Sequence, residues 1–394
     1  MGQIGSEEQR VGDQLIATDR PLLYGDRRPF ASPVPCGASS LEGGWLGSYA
    51  APMDQLNDRQ RRALPLVRGW LFLVAFLIFC MVIVGGATRL TDSGLSITEW
   101  QPLLGAIPPL NEADWLSAFE KYKLIPEYTR INQGMSLEEF KFIYWWEWSH
   151  RFLGRFIGVV FFLPFIYFAV TGALSSRMLW RFGGIFVLGA LQGALGWYMV
   201  ASGLVDRVDV SQYRLAAHLT LATAIFAAVL WVAYGLGTRR RPPLTSRDWV
   251  AVVIVGLVVL QVAAGGFVAG LDAGMGYNTW PMMDGQLVPD GLFIMSPAWR
   301  NMFENAMTVQ FSHRLMAYVI FVVVAGYAYV AQTKTAALVM AAVLLQVALG
   351  IWALLWQVPL WLGLVHQGGA LIVLATALWN LHTVLRRSPG PDRR

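Results

Sequence analysis

The sequence predicts an all-α integral membrane protein with eight transmembrane helices, arranged as two pseudo-symmetric four-helix bundles. Composition, eight long apolar runs and an internal repeat support this prediction. Of the 394 residues, 56% are hydrophobic and only 14% are charged. A chain of this length therefore carries more apolar surface than a soluble core could bury.

Apolar runs long enough to cross a bilayer as helices, about 20 residues each, occur eight times. They cover residues 69–88, 151–172, 182–201, 216–236, 249–270, 313–332, 336–356 and 363–382. Arginines collect after the second, fourth and eighth runs, at Arg177, Arg181, Arg239, Arg240, Arg241, Arg247, Arg386, Arg387, Arg393 and Arg394. Because Lys and Arg favour cytoplasmic loops, we expect both termini to be cytoplasmic.

The net charge of +5 follows from this topological bias and gives no reason to expect a nucleic acid partner.

With both termini cytoplasmic, two long loops, 89–150 and 271–312, lie on the external side. Their Trp, Tyr and Gly content favours a lid over the bundle, with short amphipathic helices in 111–146.

The chain repeats itself. Residues Gly85, Gly86, Asp92, Gly94, Trp100 and Gly105 recur 180 positions later as Gly265, Gly266, Asp272, Gly274, Trp280 and Gly285. Ser149-His150-Arg151 recurs as Ser312-His313-Arg314, LQGALG at 191–196 as LQVALG at 345–350, and His218 as His366. Each half has an even number of spans, so the halves share orientation and are related by an axis along the membrane normal.

The repeat and the charge pattern divide the chain. Residues 1–64 form a polar tail without apolar periodicity, expected to be disordered, and Met53 is a second possible start. The N-terminal half covers 65–237, a cytoplasmic linker 238–248, the C-terminal half 249–384 and a basic tail 385–394.

Four of the five histidines open spans at repeat-related positions: His150, His218, His313 and His366. One such histidine alone is ordinarily an interfacial residue, but four at equivalent positions favour a shared role. Within each half, two imidazoles at equal depth can face each other across a flat ligand, which is the geometry of a haem iron with two axial histidines. His382 has no counterpart and is expected to be structural.

Arg151 and Arg314 directly follow a histidine, so they are candidates to pair with haem propionates. The alternative is interfacial snorkelling.

A di-iron or zinc centre is the competing metal site, because Glu147 and His150 have Glu-x-x-His spacing. Di-iron bundles need several carboxylates, whereas the position matching Glu147 is Gln310 and the spans contain almost no Asp or Glu. Cys36 and Cys80 offer no thiolate site. Haem is therefore favoured.

The Glu147/Gln310 difference predicts a division of labour. A carboxylate three residues before a ligand histidine can exchange a proton and stabilise positive charge, which an amide cannot do. The N-terminal half is thus expected to react and the C-terminal half to hold a permanent cofactor. The alternative is that Glu147 is a helix-start residue favoured by the dipole.

The stretches WWEWSHRFLGR (145–155) and DAGMGYNTWPMMDG (272–285), together with the second Ser-His-Arg copy and the duplicated eight-span plan, resemble the haem A synthase family. The resemblance covers about residues 66–384. It implies oxidation of the C8 methyl of haem O to a formyl group, giving haem A for aa3-type cytochrome oxidase. It also implies haem b bound by His313 and His366, substrate haem iron served by His150 and His218, and a catalytic Glu147.

One branch of this family carries cysteine pairs in its external loops, and this chain matches the branch without them. The family implies membrane lipid, haem O synthase and oxidase assembly factors as partners, whereas the electron acceptor and oxygen source stay open. Acidic residues in the tail favour a bacterial plasma membrane over the mitochondrial inner membrane.

Two other functions fit paired histidines. A di-haem b-type, quinol-linked electron-transfer subunit keeps both haems through turnover and does not need Glu147. A haem-handling transporter moves its substrate without changing its mass.

Overall fold

The computed structural model describes residues 56–101, 104–205, 207–238 and 245–386. Within these ranges all regular elements are helical, and eight helices are long and apolar enough to cross a membrane. These eight are α1 (Asp58–Leu90), α4 (Leu137–Val170), α5 (Ser176–Val200), α6 (Gln212–Gly235), α7 (Ser246–Gly270), α9 (Ala306–Ala331), α10 (Lys334–Leu355) and α11 (Leu360–Val384). The predicted all-α membrane class is confirmed.

Shorter helices lie in the two long loops. They are α2 (Glu112–Tyr122), α3 (Pro126–Arg130) and α8 (Asn301–Glu304), with single 3-10 turns at Leu104–Ala106 and Ala298–Arg300. The predicted tail, 1–64, falls outside the described residues up to position 55, and α1 already begins at Asp58. The arginines at 239–241, most of the linker and residues 387–394 also lie outside them.

Helix α4 begins well before the apolar run that predicted it. Ser136 and Glu139 form a capping box, in which the Ser136 backbone N–H donates to Glu139 Oε2 at 2.8 Å and the Glu139 N–H donates to Ser136 Oγ at 3.3 Å. Residues 137–150, almost four turns, therefore precede the predicted apolar run. His150 directly precedes that run, so it lies in roughly the fourth turn of α4 and not in its first turn.

The helices pack in two sets of neighbours. In the N-terminal set, α1 contacts α4 and α6, and α5 contacts the same two helices. In the C-terminal set, α7 contacts α9 and α11, and α10 contacts the same two. The sets meet where α6 lies on α7 and α11 lies on α1 and α6. The pseudo-two-fold relation between the sets stays a prediction.

Small residues permit the close contact between α6 and α7. A Cβ on Gly266 would lie 2.9 Å from Ala216 Cα, and one on Gly270 would lie 2.8 Å from Gln212 Cα. Side chains at these two positions would push the helices apart, so glycine is required where the two sets meet.

The loop after α1 is held to both halves by Arg89. Its guanidinium pairs with Asp92 at 2.8 Å and with Asp272, which follows α7, at 2.7 Å. Beside it, α2 packs through Phe119 and Tyr122 on Phe140 of α4. Tyr128 of α3 packs on the same two α2 rings. These contacts fix the loop between α1 and α4 that contains α2 and α3, here called the loop layer, above the N-terminal set.

Candidate functional site

Four histidines border one cavity of about 960 Å³ that is lined by residues of both helix sets. They are His150, His218, His313 and His366, the four singled out by the repeat. The volume lies at the upper end of the range for small-molecule sites, about 300–1,000 Å³. The cavity can therefore take a large, mainly apolar ligand.

The N-terminal pair consists of His150 on α4 and His218 on α6. The ring centroids of His150 and His218 lie 6.5 Å apart, with the planes at 74°. Metal to imidazole nitrogen bonds are about 2 Å long, so two imidazoles on opposite sides of one metal ion have centroids about 6 Å apart. At this spacing both imidazoles could hold one metal ion between them, such as the iron of a haem.

The C-terminal pair lies on α9 and α11, where His313 and His366 border the same cavity. The Nδ1 atom of His313 is buried and accepts or donates no hydrogen bond within the described residues. An imidazole with a ring nitrogen left unsatisfied in an apolar wall is a suitable metal ligand.

Each of the four imidazoles rests against a glycine on a neighbouring helix. A Cβ on that glycine would lie 3.0 Å from His150 Nε2 (Gly85), 2.9 Å from His218 Cε1 (Gly196), 3.3 Å from His313 Cε1 (Gly265) and 2.8 Å from His366 Cε1 (Gly350). The four glycines are themselves repeat pairs. Both copies of the repeat thus place a glycine beneath each imidazole, here called a glycine cradle. The ring fits there because glycine has no side chain.

Two glutamines of the repeated LQxALG segment hold the second histidine of each pair. Gln192 Nε2 donates to the backbone oxygen of His218 at 3.1 Å and lies 3.2 Å from its ring nitrogens. Gln346 Nε2 donates to the His366 oxygen at 2.8 Å and lies 3.2 Å from its Nδ1. The repeated segment is evident in the sequence, but the contacts of its glutamines are seen only in the structure.

A third glutamine is present in one half only. Gln261 of α7 donates to the His313 backbone oxygen at 3.0 Å and lies 3.3 Å from His313 Nε2. The repeat-related position in α1 is Met81, whose methyl lies by Gly154. The surroundings of the two first histidines therefore differ.

Glu147 is buried and its carboxylate is fully engaged. Oε2 accepts from Ser96 Oγ at 2.8 Å and from the Ile97 N–H at 2.7 Å. Oε1 accepts from Arg151 Nε at 3.0 Å and Nη2 at 2.5 Å. Arg151 also donates to the backbone oxygens of Ile97 and Glu99, so the pair clamps the loop onto α4.

Gln310 and Arg314 build the same clamp in the C-terminal half. Arg314 donates to Gln310 Oε1 at 2.9 Å and to the oxygens of Tyr277 and Thr279, which stand 180 positions after Ile97 and Glu99. Gln310 Nε2 donates to the Ala273 oxygen at 2.6 Å. Both arginines border the cavity, and both are bound to loop carbonyls.

The fifth histidine, His382, lies away from the cavity. It is buried against Trp231 and Tyr234 and is not among the cavity-lining residues. Within the described ranges, no group of three or more His, Cys, Asp or Glu is placed to hold a metal ion, so those ranges contain no ligand set for a di-iron centre. Cys80 is a free thiol of α1, and Cys36 lies outside the described residues.

Comparisons with known proteins identify the family of this chain. Residues 68–378 match the family model described as cytochrome oxidase assembly protein. The chain is 57% identical to the haem A synthase of Azorhizobium caulinodans over 334 residues, which is 82% of this chain and 95% of that protein. It is 52% identical to that of Parvibaculum lavamentivorans (80% and 94%) and 53% identical to that of Mesorhizobium japonicum (82% and 92%). The chain belongs to the haem A synthase family of cytochrome oxidase assembly proteins.

Proposed function

We propose that this chain is a haem A synthase, an oxidoreductase that converts the C8 methyl of haem O to a formyl group and so supplies haem A to cytochrome oxidase. One observation carries the proposal. In a family whose similar members are named haem A synthase, two histidine pairs border one cavity large enough for a macrocycle. One histidine pair could bind a substrate porphyrin in that cavity, and the other pair could bind a second haem.

We assign His150 and His218 to the iron of the substrate haem, and His313 and His366 to a resident haem b. The asymmetry of charge supports this division. Glu147 borders the cavity in the N-terminal half, where the C-terminal half has the neutral Gln310. The methyl oxidation therefore takes place at the N-terminal pair, beside an ionisable group.

A bound haem b supplies one-electron chemistry close to the substrate. The protein supplies the rest. Glycine cradles and the Gln192 and Gln346 contacts fix the imidazoles, and the apolar helix faces exclude water from the macrocycle. Arg151 and Arg314 are proposed to contact propionates at the cavity edge, where these groups would compete with the loop carbonyls for the guanidinium donors.

The proposed location is a bacterial plasma membrane, crossed eight times with both termini cytoplasmic. Eight membrane-length helices and bacterial relatives support it. Haem O then arrives from a haem O synthase in the same membrane, and oxidase assembly factors receive the product.

The test is mass analysis of haems extracted from cells that make haem O but lack their own haem A synthase. Cells expressing the wild type are expected to contain haem A, and cells expressing Glu147→Ala are expected to contain haem O with little haem A. A di-haem electron-transfer subunit or a transporter leaves haem O unchanged in both. Absence of haem A from wild-type cells that contain the folded, haem-loaded protein rejects the proposal.

A further inference from the structure

Besides Glu147, a second buried carboxyl group lies at the cavity, in the loop layer that covers the N-terminal helix set. Glu127 belongs to α3 and is only 4% exposed. It borders the cavity, and its Oε2 atom accepts no hydrogen bond from the described residues. Leaving a buried carboxylate oxygen unsatisfied is costly, so such a group needs a reason to be there.

Glu127 differs in this respect from Glu147. All four hydrogen bonds to the Glu147 carboxylate come from protein groups, one of which is the charged Arg151. Both oxygens of the Glu147 carboxylate are therefore occupied by protein donors. Glu127 has one oxygen, Oε2, that accepts no hydrogen bond from the described residues and is open to a proton.

The surroundings of Glu127 favour its protonated form. Glu127 lies in a buried part of the loop layer, where Ile125 is 5% exposed and Tyr122 is fully buried, with its hydroxyl accepting from Asn132. The ionisable groups that act on Glu127 are Glu147 of α4, Asp209 of the loop after α5, Asp92, and Arg89 at the end of α1. Three of these are acids, and the single cation is already paired with Asp92 and Asp272.

Burial, followed by repulsion from Glu147, Asp209 and Asp92, raises the pKa of Glu127 to about 8. A group with a pKa close to the working pH can both take up and release a proton. Burial alone would also give this pKa to an inert residue, so its position on the cavity wall is the deciding observation.

We propose that Glu127 exchanges protons between the cavity and the loop surface during turnover at the N-terminal haem site. The inference rests on the proposed function, because oxidising a methyl to a formyl group moves protons. With water as the oxygen source protons are released, and with dioxygen they are consumed. In either case the carboxylate binds one proton on one side of the loop layer and releases the same proton on the other, and no electron passes through it.

The first test compares Glu127→Gln with wild type and with Glu120→Gln, a control on the exposed ion pair that Glu120 forms with Lys123 in the same loop layer. Glu127→Gln is expected to keep its haem and to form haem A at least about 10-fold more slowly. Wild type is expected to show a pH inflection of this rate near 8, and Glu127→Gln is expected to lack it. Glu127→Asp restores part of the rate and the inflection, and Glu120→Gln matches wild type.

The inference is overturned if Glu127→Gln, with normal haem absorbance, has the rate and pH profile of wild type. If wild type itself forms no haem A, the proposed function fails instead. The two failures are therefore distinguishable.

A second test needs no variant and no turnover. An apolar carbodiimide reacts with protonated carboxyl groups in apolar surroundings, and peptide mass analysis locates the adduct. In the purified, haem-loaded wild type, labelling of Glu127 is expected near neutral pH and is lost above about pH 9, where the group has ionised. Absence of an adduct at Glu127, or labelling that does not change with pH, overturns the inference even if the Gln variant does not fold.

Discussion

Glu147 and Gln310 occupy one position in two copies of the same clamp, and the loops that they bind have opposite hydrogen-bonding character. The N-terminal loop presents donors to Glu147, the Ser96 hydroxyl and the Ile97 N–H. The C-terminal loop presents acceptors to Gln310, the backbone oxygens of Ala273 and Tyr277. The acid and the amide are therefore each matched to their own loop, independently of any role in catalysis.

Exchanging the two residues is expected to destabilise both clamps. In Glu147→Gln the amide N–H₂ must face either the Ile97 N–H or Arg151, and in Gln310→Glu a carboxylate faces two carbonyls. Each mismatch leaves buried polar groups unpaired, at a cost of about 1–3 kcal/mol. Thermal unfolding in detergent should show a lower midpoint for each variant. Glu138→Gln, on an exposed ion pair of α4, should show almost no change.

The glycine cradles predict that haem binding is lost on adding one methyl group. Gly196→Ala and Gly350→Ala place a Cβ within 3 Å of the imidazole of His218 and His366, so each ring must turn away. The ratio of Soret absorbance to protein should fall in both variants. Gly183→Ala, on the same helix α5, adds a carbon with no atom within 4 Å and lies away from the cavity lining, so this variant should bind haem normally. Equal haem content in all three would exclude a cradle role.

The two histidine pairs should fail in different ways. His366→Ala is expected to remove the proposed haem b and with it haem A formation. His218→Ala is expected to keep that haem and to lose only the conversion of haem O. Haem content and extracted haem masses, measured on the same preparations, distinguish the two. If His218→Ala lost all haem while His366→Ala kept it, the assigned roles of the halves would be reversed.

Arg89 and Asp272 link the two helix sets and should be energetically coupled. The Arg89 side chain is 12% exposed and that of Asp272 is 46% exposed, so solvent screens part of the attraction. A double-mutant cycle with Arg89→Gln and Asp272→Asn is expected to give a coupling free energy of about 1 kcal/mol. The coupling should fall as salt is added. Strict additivity would mean that the ion pair does not hold the halves together.

Glu127 should make stability depend on pH in the alkaline range. Its pKa is raised to about 8, by burial first, whereas in the unfolded chain it is about 4.3. The folded state therefore holds a proton that the unfolded state has released, and the free energy of unfolding falls as pH rises from the unfolded pKa through the folded one. Glutamine has nearly the same shape as glutamate but does not ionise, so Glu127→Gln removes this fall in the free energy of unfolding. Its unfolding midpoint should exceed that of wild type above pH 8 and approach it towards pH 5.

The sequence determined the membrane class, the eight spans, the repeat and the four histidines, because hydrophobic length and a duplicated residue pattern are properties of the chain itself. It also separated Glu147 from Gln310 and led to the family through two local motifs. Helix starts were less predictable. The capping box at Ser136 lengthened α4 beyond its apolar run, since capping depends on local hydrogen bonds and not on hydrophobicity.

Only the tertiary structure decided what surrounds those residues. The glycines beneath the imidazoles, the glutamines that hold His218 and His366, and the loop carbonyls around Arg151 and Arg314 come from other helices and loops. Glu127 carries no sequence signal, because nothing in its local sequence distinguishes it from a solvated loop acid. Its burial and its place on the cavity wall arise from packing between segments far apart in the chain, and a hydrophobic pattern cannot encode those contacts.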